Sequence, residues 1–453
     1  MSLLLGVDLG TSYFKVGLFD AFGALKGLGR AAVEKDVPLP GRAELPVPRF
    51  WAVLRQVLAE ALTQAGAEAR EIAAVSYSSQ TNSFVLLDRA DLPLTPIVLW
   101  TDARAEPLAP DLEEFSRREL FARTVGFASW SSGFAVAKWR WWQENQRDTW
   151  VRAHRVQTMA DYFTYALTGQ CVGDASTAAF LGLLDLAKHE WWSAALSISR
   201  VEAERLSSPL APGTVVGRTV ARATELLGLQ ADVPFAIGGL DHHVAALGSG
   251  LGTLADLSLS TGTVLAAMTL VPEAVPGTGC YHGPHFDGRK YYRLAFDPAG
   301  AGQLEDFQRR FAPGAALEEL LILAAVAPAG GLAPRDLSAV SHGVAMRYLL
   351  EKIAAGQRTL IRQVTNSAKL SCIVATGGGA RSALWLQIQA DMVGVPIMTP
   401  AAPERACLGA AMLASVAAGW QRDPLQAMGA MLSPGRVFEP NAAGVARYRG
   451  WAP

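Results

Sequence analysis

The stretch GVDLGTSYFKVGLFD at residues 6–20 gathers Asp8, Gly10, Thr11, Ser12 and Lys15 around one turn between two apolar runs. Leu3, Leu4, Leu5 and Val7 form the first run; Phe14, Val16, Leu18 and Phe19 form the second, and both favour strands. Gly10 supplies the backbone freedom that a hairpin needs. Asp, Gly, Thr and Ser are ordinary turn residues, so a plain hairpin accounts for the pattern taken alone. The alternative is chemical. Such a turn can aim backbone N–H groups and two hydroxyls at a phosphate, with Asp8 holding Mg²⁺ through water and Lys15 adding positive charge.

A second candidate is Asp241, in GGLDHHVAALGSG at 238–250. It follows a buried-strand pattern and two glycines and precedes a helix-like run, so its carboxylate is expected at a helix N-terminus. The positive dipole potential there keeps it ionised, and an ionised carboxylate in a cleft can accept a proton. A simple capping aspartate would look the same. His242 and His243 are adjacent, so a helix points them apart and they make a poor metal pair.

Two further segments could approach a ligand. Residues 376–396 read TGGGARSALWLQIQADMVGVP: an apolar strand (CIVAT) ends in three glycines, and Ser382 can cap a helix that Gly394 and Pro396 stop. Glycines at such a junction let a flat ligand or a phosphate reach the backbone, although a tight strand-to-helix turn also explains them. A dinucleotide fingerprint fits poorly, since Ser382 stands where GxGxxG needs its last glycine. Residues 256–270 (DLSLSTGTVLAAMTL) repeat the strand, small-residue turn, strand pattern of the N-terminus, with Thr261, Gly262 and Thr263 at the turn. Two such hairpins suggest a duplicated architecture with a border near residue 250.

Strand-like and helix-like segments alternate around these residues, which favours an α/β fold. The patterns predict helices over 50–65, 136–146, 158–168 and 220–228, and strands over 72–78, 84–88 and 233–238. The Pro/Gly-rich stretch 208–218 (SPLAPGTVVGR) reads as a loop. Residues 404–419 read as a helix whose many small residues let its backbone lie close to a neighbour, with Glu404 near its start favourable to the dipole.

The 453 residues suffice for two or three domains. Half are hydrophobic and 18% are charged, as in a folded globular chain. A net charge of −1 points to neither nucleic acid nor an anionic membrane as a partner. Cys171, Cys280, Cys372 and Cys407 are widely spaced with no CxxC pair, which fits thiols in a reducing cytoplasm. No basic segment followed by a cleavage site opens the sequence, and the apolar stretches near 320–333 and 408–418 are too short or too interrupted to span a bilayer. A cytoplasmic location without membrane attachment is the expectation.

Taken in order, GVDLGTSYFKVGLFD, LSTGT, and the run from GGGARS to ERACLGAAMLA resemble the two phosphate motifs and the adenosine motif of the FGGY carbohydrate kinases. WTDAR at 100–104, ADYFTYALTG at 160–169 and GGLDHHVAALGSG support the likeness. It implies two actin-like (ribonuclease H-like) α/β domains flanking a nucleotide and sugar cleft. Residues 1–250 would mainly bind sugar and residues 251–453 mainly nucleotide. It further implies ATP and Mg²⁺ as cofactors. Asp8, Gly10, Thr11, Ser12 and Lys15 would lie at the β- and γ-phosphates, and Thr261, Gly262 and Thr263 at the second phosphate hairpin. Gly378, Gly379, Ala380 and Gly300 would lie near the adenosine. Asp241 would be the catalytic base, with Asp8 and Asp241 at the metal, and Thr81, Asn82, Trp100, Asp102 and His242 would line the polyol pocket. The implied acceptor is a small sugar or polyol, a ketopentose such as D-xylulose first; a homodimer is the assembly to test for. After residue 311 the sequence departs from the family: the segment before Tyr348 is shorter, and His342 stands where a glutamate is common.

Overall fold

The computed structural model describes residues 2–262, 264–275, 279–331 and 336–451. Thr263, assigned above to the second hairpin, lies outside them. The chain divides into two compact units. The first comprises Met1–Gly248, Val271–Tyr292 and Glu404–Leu432; the second comprises Ser249–Leu270, Arg293–Pro403 and Ser433–Pro453. The chain leaves the first unit close to the border expected near residue 250. It returns to it twice, so the units are not two consecutive halves.

In the first unit the two apolar runs form β1 (Leu3–Leu9) and β2 (Tyr13–Phe19), paired antiparallel as a hairpin. Every residue of β1 is buried. β3 (Leu25–Ala32) continues on one side and β4 (Ile72–Ser79) lies parallel to β1 on the other. β5 (Val215–Arg218), β6 (Pro234–Ala236) and β7 (Gly239–Leu240) complete a seven-stranded sheet of order β5-β6-β4-β1-β2-β3, with β7 also alongside β4. The expected loop at 208–218 instead holds two short strands, Ser208–Leu210 and β5. β-Branched Val215 and Val216 suit the edge pairing with β6 that the Pro/Gly content had obscured.

The helix Val47–Ala65 begins three residues before its expected start, behind Pro46 and with Pro48 in its first turn, and Gly66 ends it in a left-handed conformation. Its buried stripe of Phe50, Trp51, Leu54, Val57, Leu58 and Ala61 joins the core formed with Leu5, Val7, Phe14, Val16, Tyr162 and Phe163.

The helix Arg405–Ala417 also belongs to the first unit. Its small residues serve as expected. A Cβ on Gly6 of β1 would strike the Cys407 carbonyl oxygen, and one on Gly409 would strike the Val244 carbonyl oxygen in the helix Asp241–Leu247. Backbones here meet with no side chain between them.

In the second unit β8 (Leu257–Thr261) and β9 (Leu265–Val271) form another antiparallel hairpin. β10 (Ile373–Thr376) lies parallel to β8, followed by β11 (Ile397–Pro400) and β12 (Pro434–Phe438) in the order β9-β8-β10-β11-β12. A hairpin with a parallel third strand beside its first strand thus occurs in both units, as the sequence repeat suggested. The shortened segment holds the helix Leu317–Val326 and leads into the long helix His342–Thr365.

Two outcomes follow from this packing. Gly409→Ala places a methyl against backbone that no rotamer change can move, so stability should fall by about 1–3 kcal/mol, read from the urea midpoint. An unchanged midpoint would show that the two helices separate freely. The second concerns Asp161, half-buried in the capping box of the helix Met159–Thr168, whose carboxyl is pushed from 3.8 up to about 7 by desolvation, with the charge of Asp174 adding to the effect. The unfolded chain ionises first, so this group favours folding fully below about pH 4, and that contribution is lost as pH rises to about 7. Asp161→Asn keeps an acceptor for the Thr158 N–H but cannot ionise. Its stability relative to wild type should therefore be higher at about pH 8 than at about pH 5, measured by urea unfolding.

Candidate active site

Strand register assembles the first half of the site. Asp8, one residue from the end of β1, pairs across the hairpin with Lys15 and lies in parallel register with Ser78 of β4. The Ser78 hydroxyl donates to the Asp8 carboxylate at 3.1 Å. Lys15 Nζ stands 3.7 Å from Asp8 and 3.0 Å from Glu404, at the start of the helix Arg405–Ala417. β7 places Gly239 next to Ser78, and the chain then turns into the helix that Asp241 opens. Asp241 therefore stands at a helix N-terminus, as expected, and one carboxylate oxygen accepts the His242 N–H at 2.7 Å.

Electrostatics mark Asp8. Burial raises its carboxyl to about 6; Lys15 opposes that shift, while the negative charges of Asp241 and Glu404 reinforce it. Lys15 is held charged by Asp8 and Glu404 against its own desolvation. One lysine thus faces several carboxylates in a partly dry environment. A divalent cation bound by one or two carboxylates and by phosphate oxygens fits such a surplus of negative charge. Among the described residues, no group of three or more His, Cys, Asp or Glu forms a cage of protein ligands.

The turn itself is braced from the next strand. Gln80 donates to the Gly10 carbonyl at 3.1 Å, and its own side-chain oxygen accepts the Ser83 hydroxyl at 3.0 Å. Ser83 in turn accepts the Trp100 N–H at 2.9 Å, while the Trp100 indole N–H donates to the Thr11 hydroxyl at 2.8 Å. Ser12 is exposed at the turn, and its carbonyl accepts the Val33 N–H. Trp100 keeps 43% of its surface exposed. Its carbonyl, with those of Leu99 and Gly133, accepts from the buried ammonium of Lys138 at 2.8–3.2 Å. Burial lowers Lys138 to about 7.

The proposed pocket residues divide. Thr81 is half-buried, and its hydroxyl donates to the Thr177 carbonyl at 3.4 Å. Asn82 adopts a left-handed backbone and spends its amide inside the protein, accepting the Ala135 N–H and donating to the Phe180 carbonyl. Asp102 is fully buried; its oxygens accept from Arg104 and the Ala43 N–H, which holds its carboxyl below the usual range. Asn82 and Asp102 thus spend their polar atoms on hydrogen bonds within the protein, beside the segments that carry Thr81 and Trp100. His242 is half-buried, whereas His243 points into the core. There His243 stacks on Phe286 and meets His285 at 3.0 Å, and burial drives it well below the usual histidine range. The two histidines diverge, as adjacent positions on a helix require.

The second unit holds the other motifs. Buried Thr261 donates its hydroxyl to the Thr376 carbonyl at 2.6 Å, locking the end of β8 to β10. The Gly262 carbonyl accepts the Ala301 N–H, so the segment carrying Gly300 lies against that hairpin. After β10, Gly377 takes a positive φ of 87° and packs against Thr261 and Gly262. Gly378, Gly379 and Ala380 form a short 3₁₀ turn. The Trp385 ring leaves no room for a side chain at Gly379, but Gly378 faces open space. Ser382 caps the helix Ala383–Val393, which Gly394 ends, as the sequence indicated.

Ser78, Gln80, Ser83, Lys138 and Glu404 escaped the sequence reading as site residues. Their roles depend on strand register and on the return of the chain at 404, which no local pattern reveals. Glu404 does not cap its own helix but serves Lys15 instead.

Comparison with known proteins agrees with this geometry. Residues 3–248 match the N-terminal domain of the FGGY family of carbohydrate kinases, and residues 324–418 match its C-terminal domain. The chain belongs to this family and is a sugar kinase, with ATP the phosphoryl donor that the family implies. A xylulose kinase of Lactococcus lactis is 28% identical over 477 residues, spanning 99% of this chain and 94% of the relative. An autoinducer-2 kinase of Escherichia coli K12 is 27% identical over 460 residues, spanning 92% and 86%. The crystal structure of a ligand-bound xylulose kinase from Lactobacillus acidophilus superposes with a TM-score of 0.88 at 22% identity, covering all of this chain and 96% of the other. The two-domain actin-like fold is thereby shared. No helix among the described residues is long and apolar enough to cross a membrane.

Lys15 provides the test of this half of the site. If its charge serves the phosphates, Lys15→Met should raise KM for ATP about tenfold or more and leave KM for the acceptor within about twofold. An unchanged KM for ATP would reduce Lys15 to a counter-ion for Glu404 and Asp8.

Proposed function

We propose that this kinase transfers the γ-phosphoryl group of ATP to a terminal hydroxyl of a small neutral sugar or polyol, with a ketopentose such as D-xylulose as first choice. The observation that carries the reading is the placement of Asp241: a carboxylate at a helix N-terminus, one strand from Asp8 and felt electrostatically by it. Asp241 takes the proton of the attacking hydroxyl as its oxygen bonds to the γ-phosphorus. The bond from that phosphorus to the bridging oxygen breaks, and ADP departs with the electron pair. Lys15 and the backbone of the Gly10–Ser12 turn hold phosphate oxygens, and Thr261 and Gly262 supply the second hairpin. Gly378, open to solvent, lets the nucleoside reach the backbone. Asp8 and Asp241 would hold Mg²⁺, whose chemistry is to neutralise charge on the phosphates.

Thr81, Trp100 and His242 supply the exposed or half-buried groups for the acceptor, none of them a fixed cation. That favours an uncharged substrate over a sugar acid. A second reading, phosphorylation of another ketose or polyol such as ribulose, erythritol, glycerol or a 6-deoxyketose, keeps the same chemistry. The near-equal similarity to a xylulose kinase and to an autoinducer-2 kinase keeps it in play. An ATPase acting without a sugar is disfavoured by the braced Trp100 turn, which nucleotide hydrolysis alone does not need.

Two measurements test the proposal. A coupled ADP-release screen over pentuloses, hexuloses, polyols and gluconate should show turnover on a neutral compound; strong turnover on gluconate with none on ketoses would refute it. Asp241→Asn keeps the size of the side chain but removes the base, so kcat should fall about 10²–10⁴-fold with ATP affinity nearly unchanged. A folded variant within about threefold of wild type would leave Asp241 as a helix cap.

A further inference from the structure

Ser176 lies in the short helix Ala175–Ala179 and is fully buried. Its hydroxyl accepts the Leu240 N–H at 2.9 Å and donates to the Asp174 carboxylate at 2.6 Å. Leu240 immediately precedes Asp241 and is the capping position of its helix. Asp174 is itself buried. The oxygen that receives Ser176 also accepts the Thr177 N–H at 2.6 Å, and the other accepts the Tyr77 hydroxyl at 3.4 Å. Tyr292 donates its hydroxyl to the Ser176 carbonyl at 3.0 Å, and its ring lies against His243 in the first turn of the Asp241 helix. Little slack remains: a Cβ on Gly239 would sit 3.0 Å from the Ser176 oxygen and 3.1 Å from Val244. The following residues of the same segment hold the acceptor side, since the carbonyls of Thr177 and Phe180 receive Thr81 and Asn82.

We infer that Ser176, fixed by Asp174, is a positioning residue for the reaction, setting where the Asp241 carboxylate stands relative to the pocket wall at Thr81 and Asn82. The inference rests on the reading of Asp241 as the base. A hydroxyl in this place does what an apolar side chain of equal size cannot. It satisfies the N–H of the capping residue of the base's helix and aims that helix start by a directed bond. The buried carboxylate polarises the hydroxyl and strengthens its grip. Because one short segment anchors both the base and the pocket wall, their separation is set within a single piece of structure. General-base efficiency depends on that separation to within a fraction of an ångström.

The test is a double-mutant cycle on the full chain, using the best neutral acceptor from the ADP-release screen. Ser176→Ala should lower kcat about 10–100-fold while KM for ATP stays within about twofold. In the Asp241→Asn background the same substitution should cost less than about threefold, because the group it positions is already gone. Asp174→Asn keeps an acceptor for Ser176 but loses the charge and should fall between wild type and Ser176→Ala, whereas Asp174→Leu should match Ser176→Ala. An equal loss from Ser176→Ala in both backgrounds, or no loss in either, overturns the inference. If Ser176→Ala does not fold, Ser176→Cys, similar in size but a poor acceptor, is carried through the same cycle and judged by the same two criteria. Failure of the base assignment is read separately, from Asp241→Asn alone.

Discussion

The first unit depends on one packing constraint: the helix Arg405–Ala417 must touch β1 and the helix Asp241–Leu247 backbone to backbone. Gly6 meets the Cys407 carbonyl, Gly409 meets the Val244 carbonyl, and Gly248 meets the Arg405 carbonyl, each with no space for a Cβ. Three catalytic-side groups inherit their positions from these contacts. Asp8 rides on β1, Asp241 opens one helix, and Glu404 stands at the start of the other, where it reaches Lys15. Any shift of the returning helix would move Glu404 against Lys15 and Asp241 against Asp8 together. Small residues along 405–417 are thus a geometric requirement of the chemistry, although none of them touches a substrate.

Charge is distributed with the same economy. Carboxylates meet in two places, Asp8 with Asp241 and Asp161 with Asp174; the charge of Asp241 adds to the rise at Asp8, and that of Asp174 to the rise at Asp161. The two places differ in what relieves them. Near Asp8 the ammonium of Lys15 opposes the shift. Burial raises the Asp174 carboxyl above its usual range, and hydrogen bonds from Ser176, Thr177 and Tyr77 oppose that rise within the protein. Asp161 has only Thr158, and its carboxyl rises to about 7. The first pair is built to meet a ligand and the second to hold a scaffold, a distinction visible only in the partners.

Much of this was legible in the sequence. The hairpin turn, the second hairpin, the glycine-rich junction and the helix that Asp241 opens all carry local signatures: period, turn residues and caps. The structure agrees with each to within a few residues. What escaped was set by pairing between distant strands. Nothing local tells that Ser78 will sit beside Asp8, since that follows from the parallel register of β1 and β4. The partner of Asp102 was equally hidden: Arg104, two residues on, folds back and donates to its carboxylate. The returns of the chain to the first unit at Val271 and Glu404 leave no mark in composition.

The braced Trp100 turn shows how one scaffold can keep its chemistry while its acceptor changes. The Trp100 backbone is fixed twice, by Ser83 at its N–H and by Lys138 at its carbonyl, and the indole N–H is spent on Thr11. The ring is thereby left with its face and edge, its polar atom being committed to the Gly10–Ser12 turn. Gln80 and Ser83 close the same circuit from the Gly10 side. On the proposed reading, selectivity would come from Thr81 and His242 and from the wall that Asn82 sets through its left-handed turn. Replacing those few side chains alters which hydroxyls are matched without disturbing Asp8, Lys15 or Asp241. A neutral acceptor satisfies such a pocket with hydrogen bonds alone, whereas a carboxylate would enter without a cation to receive it, and that loss of pairing is the physical basis of the expected preference.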